Sequence, residues 1–261
     1  MSVVQAWVYG EHVQGCNVAA AIKDPGAVHR LAKAIALNST AGLKVTREKV
    51  EFVGNPTEAA LLLMLWKDCN FDYTTERRAA GKPVARRPFD KAVKYMSTMM
   101  PSERRTGVAT KDDGPLLYVK GAPESVLEMC SSIQSSSGAT TVITTEMRFN
   151  LHELVSSMAR KGLRTLAVAY RRLTPAALAA AGVGRTARDL AGALSSQPAS
   201  LSGGRAGDDA GAGSGTPASA AGAVESDLSL LAVFGIADPL REGVTVALAR
   251  CVSAGIRVMM V

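Results

Sequence analysis

Cysteine, histidine and aromatic residues are scarce in this chain, and each scarcity removes a class of function. The four cysteines, Cys16, Cys69, Cys130 and Cys251, stand far apart with no Cys-x-x-Cys pair. A disulfide framework is therefore not expected, and reduced structural thiols are. The three histidines, His12, His29 and His152, are equally scattered, so a zinc site is not expected. Aromatic residues make up only 5% of 261 residues, so each ring needs its own explanation. No apolar run approaches the ~18 residues of a membrane span. Met1-Ser2-Val3-Val4 lacks the charged and apolar regions of a signal peptide.

What is present is a globular composition, 47% hydrophobic, with a net charge of +7 that favours an anionic partner. Much of that charge gathers in Arg77, Arg78, Lys82, Arg86, Arg87, Lys91 and Lys94. Such a cluster reads as a solvated loop or as a patch for an anion. No recognised nucleic-acid module surrounds it, so a nucleotide triphosphate is the simpler partner and nucleic acid is not expected.

Residues 1–172 alternate strand-like and helix-like stretches. Apolar residues recur at three- and four-residue spacing over 28–37, which predicts an amphipathic helix. Residues 59–66 are apolar nearly all round and predict a buried helix. Residues 95–100 and 116–119 read as strands around the polar turn 111–114. A helix over 151–161, stopped by Gly162, leads into a strand at 166–170. Residues 173–227 are dominated by Gly, Ala, Ser and Pro, too polar and small to offset the entropy of ordering, and are expected to be mostly disordered apart from a short helix at 175–181. The glycines of 211–215 follow no strand and precede no Gly-Lys-Ser/Thr, which argues against a phosphate loop. Residues 228–261 read as strand, turn, helix and strand, a βαβ unit.

The most informative stretch is Lys120-Gly121-Ala122-Pro123-Glu124. A lysine closes an apolar strand, Gly121 lets the backbone bend, and Pro123 suits the first position of a helix. Strand-to-helix junctions of this kind border the crevices where α/β proteins bind ligands. Four further segments accompany it: Val53-Gly54-Asn55-Pro56-Thr57-Glu58-Ala59, Phe89 with Lys94-Tyr95-Met96-Ser97, Gly162-Leu163-Arg164-Thr165-Leu166-Ala167, and Ala237-Asp238-Pro239-Leu240-Arg241. In this order and spacing they resemble the nucleotide-binding domain of P-type calcium-transporting ATPases of the plasma-membrane type. The opening Met1-Ser2-Val3-Val4-Gln5-Ala6, the run Ala34-Ile35-Ala36-Leu37-Asn38-Ser39 and the close at 254–261 resemble the same family. The resemblance covers 1–172 and 228–261.

That resemblance implies an α+β fold, an antiparallel sheet flanked by helices, followed by a βαβ piece of the phosphorylation domain. It divides the chain into a nucleotide-binding domain (1–172), an insertion (173–227) and a hinge with a partial phosphorylation domain (228–261). It implies ATP as ligand, with Mg²⁺ held mostly by groups outside this sequence. The remaining pump domains would be partners, and Ca²⁺ would be bound only by membrane helices not present here. The setting it implies is a soluble domain on the cytoplasmic face of a membrane. It stops short of the phosphorylated Asp-Lys-Thr-Gly-Thr motif on one side and of Thr-Gly-Asp on the other, so these residues by themselves are expected to be inactive.

The site residues each have a second reading. Glu58 lies three residues after Asn55, as in a capping box, while the resemblance turns it toward the adenine amino group. Phe89 lies between Arg86-Arg87-Pro88 and Asp90-Lys91, where a core ring and a purine-stacking ring are both possible; the resemblance implies stacking. Lys94 and Met96 follow at the family's spacing, although Val93 and Tyr95 depart from its usual residues. Lys120 and Gly121 correspond to the inner wall of the pocket. Arg164 corresponds to a phosphate-reaching arginine, and by sequence alone it is equally a helix-terminal cation. Asp238 and Arg241 occupy the Asp-Pro-x-Arg turn between domains, which is otherwise simply a turn. A soluble kinase is not supported, since no His-Arg-Asp motif or strand–glycine loop–lysine set is found. A non-catalytic interaction module is the alternative that remains.

Overall fold

The computed structural model describes residues 1–15, 18–22, 24–46, 49–102, 114–184, 186–195, 223–240 and 243–259. Its strands are β1 (Ser2–Val8), β2 (Glu11–Gln14), β3 (Gly42–Val45), β4 (Val50–Val53), β5 (Ala85–Asp90), β6 (Tyr95–Met100), β7 (Leu116–Gly121), β8 (Cys130–Gln134), β9 (Thr140–Val142), β10 (Arg164–Arg172) and β11 (Leu228–Ala237). Its helices are α1 (Val18–Ala21), α2 (Pro25–Leu37), α3 (Pro56–Asp68), α4 (Tyr73–Ala80), α5 (Pro123–Met129), α6 (Thr145–Arg160), α7 (Pro175–Ala180), α8 (Ala187–Ser195) and α9 (Val244–Ser253). The main sheet runs β2-β1-β11-β10-β7-β6-β5, all antiparallel, with β8 parallel to the start of β11 and β9 paired to β8. β3 and β4 form a separate hairpin.

The period of two along the central strands builds two cores. Leu116 and Tyr118 of β7, Val168 of β10 and Phe234 and Ile236 of β11 meet α2 and α3. Leu117, Val119, Ala167, Ala169 and Val233 point the other way, onto α5, α6, α7 and α8. The sheet is thus covered on both faces. The antiparallel sheet flanked by helices that the sequence suggests is what forms.

Local chemistry starts the helices where the sequence places them. Asp24, Asn55, Asp72, Thr144 and Thr174 each accept a hydrogen bond from a first-turn amide, and proline follows directly in three of them. Gly162, at φ 71°, ends the turn after α6 and lets the chain reverse into β10. Cys69, Cys130 and Cys251 are free thiols, and burial pushes the first two up to about 11 and about 12, which makes them poor nucleophiles.

Two expectations change in the structure. The segment 173–227 lies between neighbouring antiparallel strands, β10 and β11, and is structured at both ends. α7 and α8 pack on the sheet, Leu190 and Leu194 are buried, and Glu225 is 1% exposed; residues 196–222 lie outside the described residues. The glycine- and alanine-rich composition hides these anchors because a few leucines and one carboxylate carry them. Arg87 Nη1 lies 2.6 Å from Glu225, whose carboxylate also accepts from Tyr95 and Ser97, and the same guanidinium donates to Leu194 O. Burial pushes the Glu225 carboxyl upward against the pull of these donors. At the far end, α9 buries no residue and 256–259 forms no strand, so the described part of the βαβ unit is β11 and a helix. Both edges of β11 are already taken by antiparallel β1 and β10 and by β8, which leaves no free ladder for a following parallel strand.

Gly121 is fixed by a close approach. A Cβ there would collide with the Lys94 carbonyl oxygen and with the Cα and Cβ of Tyr95, where β7 crosses the turn into β6. Lys94 itself is left-handed, at φ 61°, and its carbonyl accepts from Ala122 N at 2.9 Å. Gly121→Ala is expected to lower stability by about 1–3 kcal/mol, the range for overpacking. Urea unfolding will read this as a lower midpoint at unchanged slope; an unchanged midpoint would mean the crossing is slack.

Candidate functional site

One cavity of about 320 Å³ gathers residues from five separate stretches of sequence. Asn55, Thr57 and Glu58 enter from the start of α3, and Phe89 from the end of β5. Lys94 and Met96 flank the β5–β6 turn, Lys120, Gly121 and Ala122 close β7, and Arg164, Thr165 and Leu166 open β10. Of the residues singled out in the sequence, Glu58, Phe89, Lys94, Met96, Lys120, Gly121 and Arg164 are brought together here. Asp238 is not. It is exposed on the turn after β11, 4.0 Å from the Met1 amino group. Arg241 lies outside the described residues.

The inner wall is a buried ion pair. Lys120 Nζ lies 2.9 Å from Glu58 Oε1, with side-chain exposures of 3% and 9%. Glu58 Oε2 accepts from Ser39 Oγ at 3.0 Å, Thr40 N at 2.9 Å, Thr40 Oγ1 at 3.2 Å and Ala41 N at 3.0 Å. The capping-box reading of Glu58 is therefore corrected. Asn55 Oδ1 caps Thr57 N, while the glutamate is drawn away from the helix start by stronger donors across the fold. Burial alone would raise the Glu58 carboxyl, but Lys120 and the amides of Thr40 and Ala41 outweigh it and hold it at about 2. Burial pushes Lys120 down to about 8, with Glu58 opposing and Arg77 and Arg86 assisting. At neutral pH both partners are charged.

The mouth is different in character. The Phe89 ring is 54% exposed, so it is a wall of the cavity and not part of either core. Met96 is buried and lines the same cavity, so apolar groups and the ion pair share its wall. Arg164 begins β10, which removes the reading of it as a helix-terminal cation; its Nη1 donates to Thr57 Oγ1 at 2.8 Å. Lys94 is exposed at the rim. An aromatic face at a cavity with cations at its edge suits a planar heterocycle bearing an anionic tail.

The basic cluster does not act as one patch. Lys94 lines this cavity, whereas Arg77 donates to Ala36 O, Ala41 O and Ser39 O, and Arg87 is turned inward to Glu225. Sequence reasoning also missed Thr57 and the 39–41 loop as site residues. Thr57 had a signal in the Asn-Pro-Thr-Glu helix start, since a first-turn side chain borders whatever that helix faces. The loop had none, because its contact with Glu58 is tertiary.

Mg²⁺ is the metal such a cavity would be asked to share with a nucleotide. The residues do not fit it: the one carboxylate lining the cavity is held by Lys120, and no group of three acidic, histidine or cysteine residues occurs among the described residues. Among the described residues no helix is long and apolar enough to cross a membrane.

Comparison with known proteins adds to this geometry. The family model for P-type ATPase, cytoplasmic domain N, matches residues 27–243. The plasma membrane-type calcium-transporting ATPase 3 of Oryza sativa subsp. japonica is 27% identical over 270 residues, covering 100% of this chain and 21% of the relative. The plasma membrane calcium-transporting ATPase 3 of Homo sapiens is 28% identical over 269 residues, 100% of this chain and 18% of the relative. Calcium-transporting ATPase 2 of Cryptococcus neoformans is 30% identical over 237 residues, 87% and 14% respectively. The chain thus spans about a fifth or less of the length of these relatives.

The ion pair gives a pH prediction. Glu58 titrates at about 2 in the folded state against its ordinary 4.5, so its stabilisation is full above pH 4.5 and is lost as pH falls toward 2. Melting temperature is expected to drop across that window. Glu58→Gln should lose about 3–5 kcal/mol at pH 7, since it strands the Lys120 charge, and should flatten the acid drop. An equally steep drop in the variant would place the acid-sensitive group elsewhere.

Proposed function

The chain belongs to the P-type ATPase family, as its cytoplasmic domain N, and we propose that its cavity binds ATP for a calcium-transporting pump. The observation that carries the reading is the convergence of Phe89, Met96, Lys120, Gly121, Glu58, Lys94 and Arg164 on one cavity of about 320 Å³. The adenine would stack on Phe89, with Met96 as the opposite apolar contact and the Glu58–Lys120 pair closing the inner end. Two Lys120 hydrogens remain for ring nitrogens, which accept. Arg164 and Lys94 would take the phosphates, the arginine through two parallel N–H donors. Asp238 and Arg241 would come into play only as the neighbouring domain closes.

In this reading the domain holds ATP by its base and delivers the γ-phosphate to an aspartate in another part of the pump. Attack by that carboxylate forms an aspartyl-phosphate, and its breakdown is coupled to ion movement across a membrane. The names of the similar proteins support calcium as the ion. The residues in hand do the binding and orienting. The 261 residues alone are expected to bind ATP without retaining its γ-phosphate, because no Asp-Lys-Thr-Gly-Thr run occurs in them. Acid-stable, hydroxylamine-sensitive label from γ-labelled ATP would contradict that.

Titration with ATP and GTP, followed by amide NMR, tests the pocket. ATP is expected to bind with a Kd on the order of 1 mM. Phe89→Ala should weaken it by roughly 5- to 150-fold, the equivalent of ~1–3 kcal/mol of stacking. Binding untouched by Phe89→Ala would put the nucleotide elsewhere, and no binding to either nucleotide would favour a non-catalytic interaction module.

Affinity should also fall as pH rises through about 8, where the buried ammonium of Lys120 loses its proton. Isothermal titration between pH 7 and 9 reads this directly. Lys120→Met should bind weakly at every pH, with the slope gone.

A further inference from the structure

The 39–41 loop that grips Glu58 has a second cavity on it, and that cavity takes no part in the nucleotide reading. It measures about 300 Å³ and is lined by Ser39, Thr40, Arg77, Gly81, Pro83 and Arg86 among others. Arg77 is held in place by three carbonyls: Ala36 O at 2.8 Å, Ala41 O at 2.8 Å and Ser39 O at 2.9 Å. Arg86 donates through Nε to Thr98 Oγ1 at 3.2 Å and through Nη2 to Leu37 O at 3.1 Å. Both guanidinium planes are thereby oriented, and each keeps unused donors out of the five it carries.

Among the described residues neither guanidinium forms an ion pair with a carboxylate. The carboxylate that acts on Arg77 is Glu58, and Glu58 is already bound to Lys120. Lys120 and Arg77 therefore share one carboxylate, and the charges of Arg77 and Arg86 both disfavour the protonated Lys120. Capping the carbonyls that end α2 accounts for where the arginines sit. Neither that capping nor the Tyr73 ring, 4.9 Å from the Arg77 guanidinium carbon, gives either arginine at the cavity a carboxylate partner of its own among the described residues. Preoriented guanidinium donors at a cavity of this size suit an oxyanion with several acceptor oxygens.

We propose that the Arg77–Arg86 cavity is a second anion site, selective for a phosphate-bearing ligand of two or more negative charges and coupled to the first cavity through the 39–41 loop. The ligand is a free di- or polyphosphate or the phosphorylated headgroup of a lipid, which share this chemistry. An anion there relieves the repulsion that Arg77 and Arg86 exert on Lys120, so it favours the charged lysine. By linkage, each site tightens the other.

Pyrophosphate is the probe, titrated into the 261-residue chain without nucleotide. NMR would follow the Gly81 amide and the Arg77 and Arg86 Nε–H signals, with the Gly121 amide reporting on the first cavity. Saturable shifts are expected at the arginines and Gly81 at lower concentration than at Gly121, and they should persist in Phe89→Ala. Arg86→Gln should weaken them at least tenfold. Pro83→Glu, which leaves every bond of the two arginines in place and sets a competing carboxylate at the rim, should do the same if Arg86→Gln fails to fold.

Shifts that appear only together with Gly121, or that survive both variants, would overturn the second site and leave the arginines as helix caps. Persistence in Phe89→Ala separates this result from failure of the adenine pocket. Sedimentation with phosphoinositide vesicles, but not with phosphatidylcholine vesicles, lost in both variants, assigns the ligand to a lipid. Pyrophosphate binding without vesicle binding assigns it to a free phosphate. Absence of both overturns the proposal.

Discussion

A buried carboxylate that must not be left alone organises this molecule. Glu58 sits at the start of α3, a place where an acidic side chain is ordinarily satisfied by its own helix and by water. Here it is 7% exposed and reaches instead to the 39–41 loop and to Lys120. The two partners belong to different parts of the chain, the loop after α2 and the end of β7, and Glu58 brings both to the start of α3. Removing a charge from water is expensive, and several donors on one carboxylate are what make it tolerable. The pair thus fixes where α3 lies over the sheet, and with it the inner wall of the cavity.

A second buried pair does for the other side of the sheet what the first does for the cavity. Arg87 holds Leu194 O and Glu225 at once, so the entry to and the exit from residues 196–222 are tied to a single guanidinium. Phe89 lies two positions further along the same strand, β5. The register of β5 shifts between Arg87 and Asp90, so Arg87 turns to Glu225 while Phe89 lines the cavity. The long excursion between β10 and β11 therefore starts and ends at a point set by the strand that carries the ring.

The sequence was most legible where local rules and function coincided. At Lys120-Gly121-Ala122-Pro123 the strand end, the bend and the helix start are each dictated by residue type, and the junction falls where expected. Phe89 was ambiguous because both readings require only a ring near charges; exposure decides between them, and exposure is tertiary. Only the capping alternative for Glu58 fails, for the same reason, since the capping distance is local and its donors lie 17 to 19 residues away or on β7. Glu225 escaped notice inside a stretch whose composition argues for disorder, because one buried acid and two leucines weigh little in an average. The strand expected after α9 was plausible by pattern, yet pattern does not reveal that β11 already has neighbours on both edges.

The side-by-side placement of β1 and β11 has a mechanical meaning. Their paired ends bring Ser2 opposite Ala237, and the Met1 amino group lies 4.0 Å from Asp238. Everything between those two points, both cores and both cavities included, hangs from a pair of adjacent strands. A body suspended in that way puts almost no span between its points of attachment. It could be lifted out and grafted into a surface loop of an unrelated host while leaving the host's chain ends where they were. Its freedom to swing would then be set by the few residues flanking that two-stranded neck.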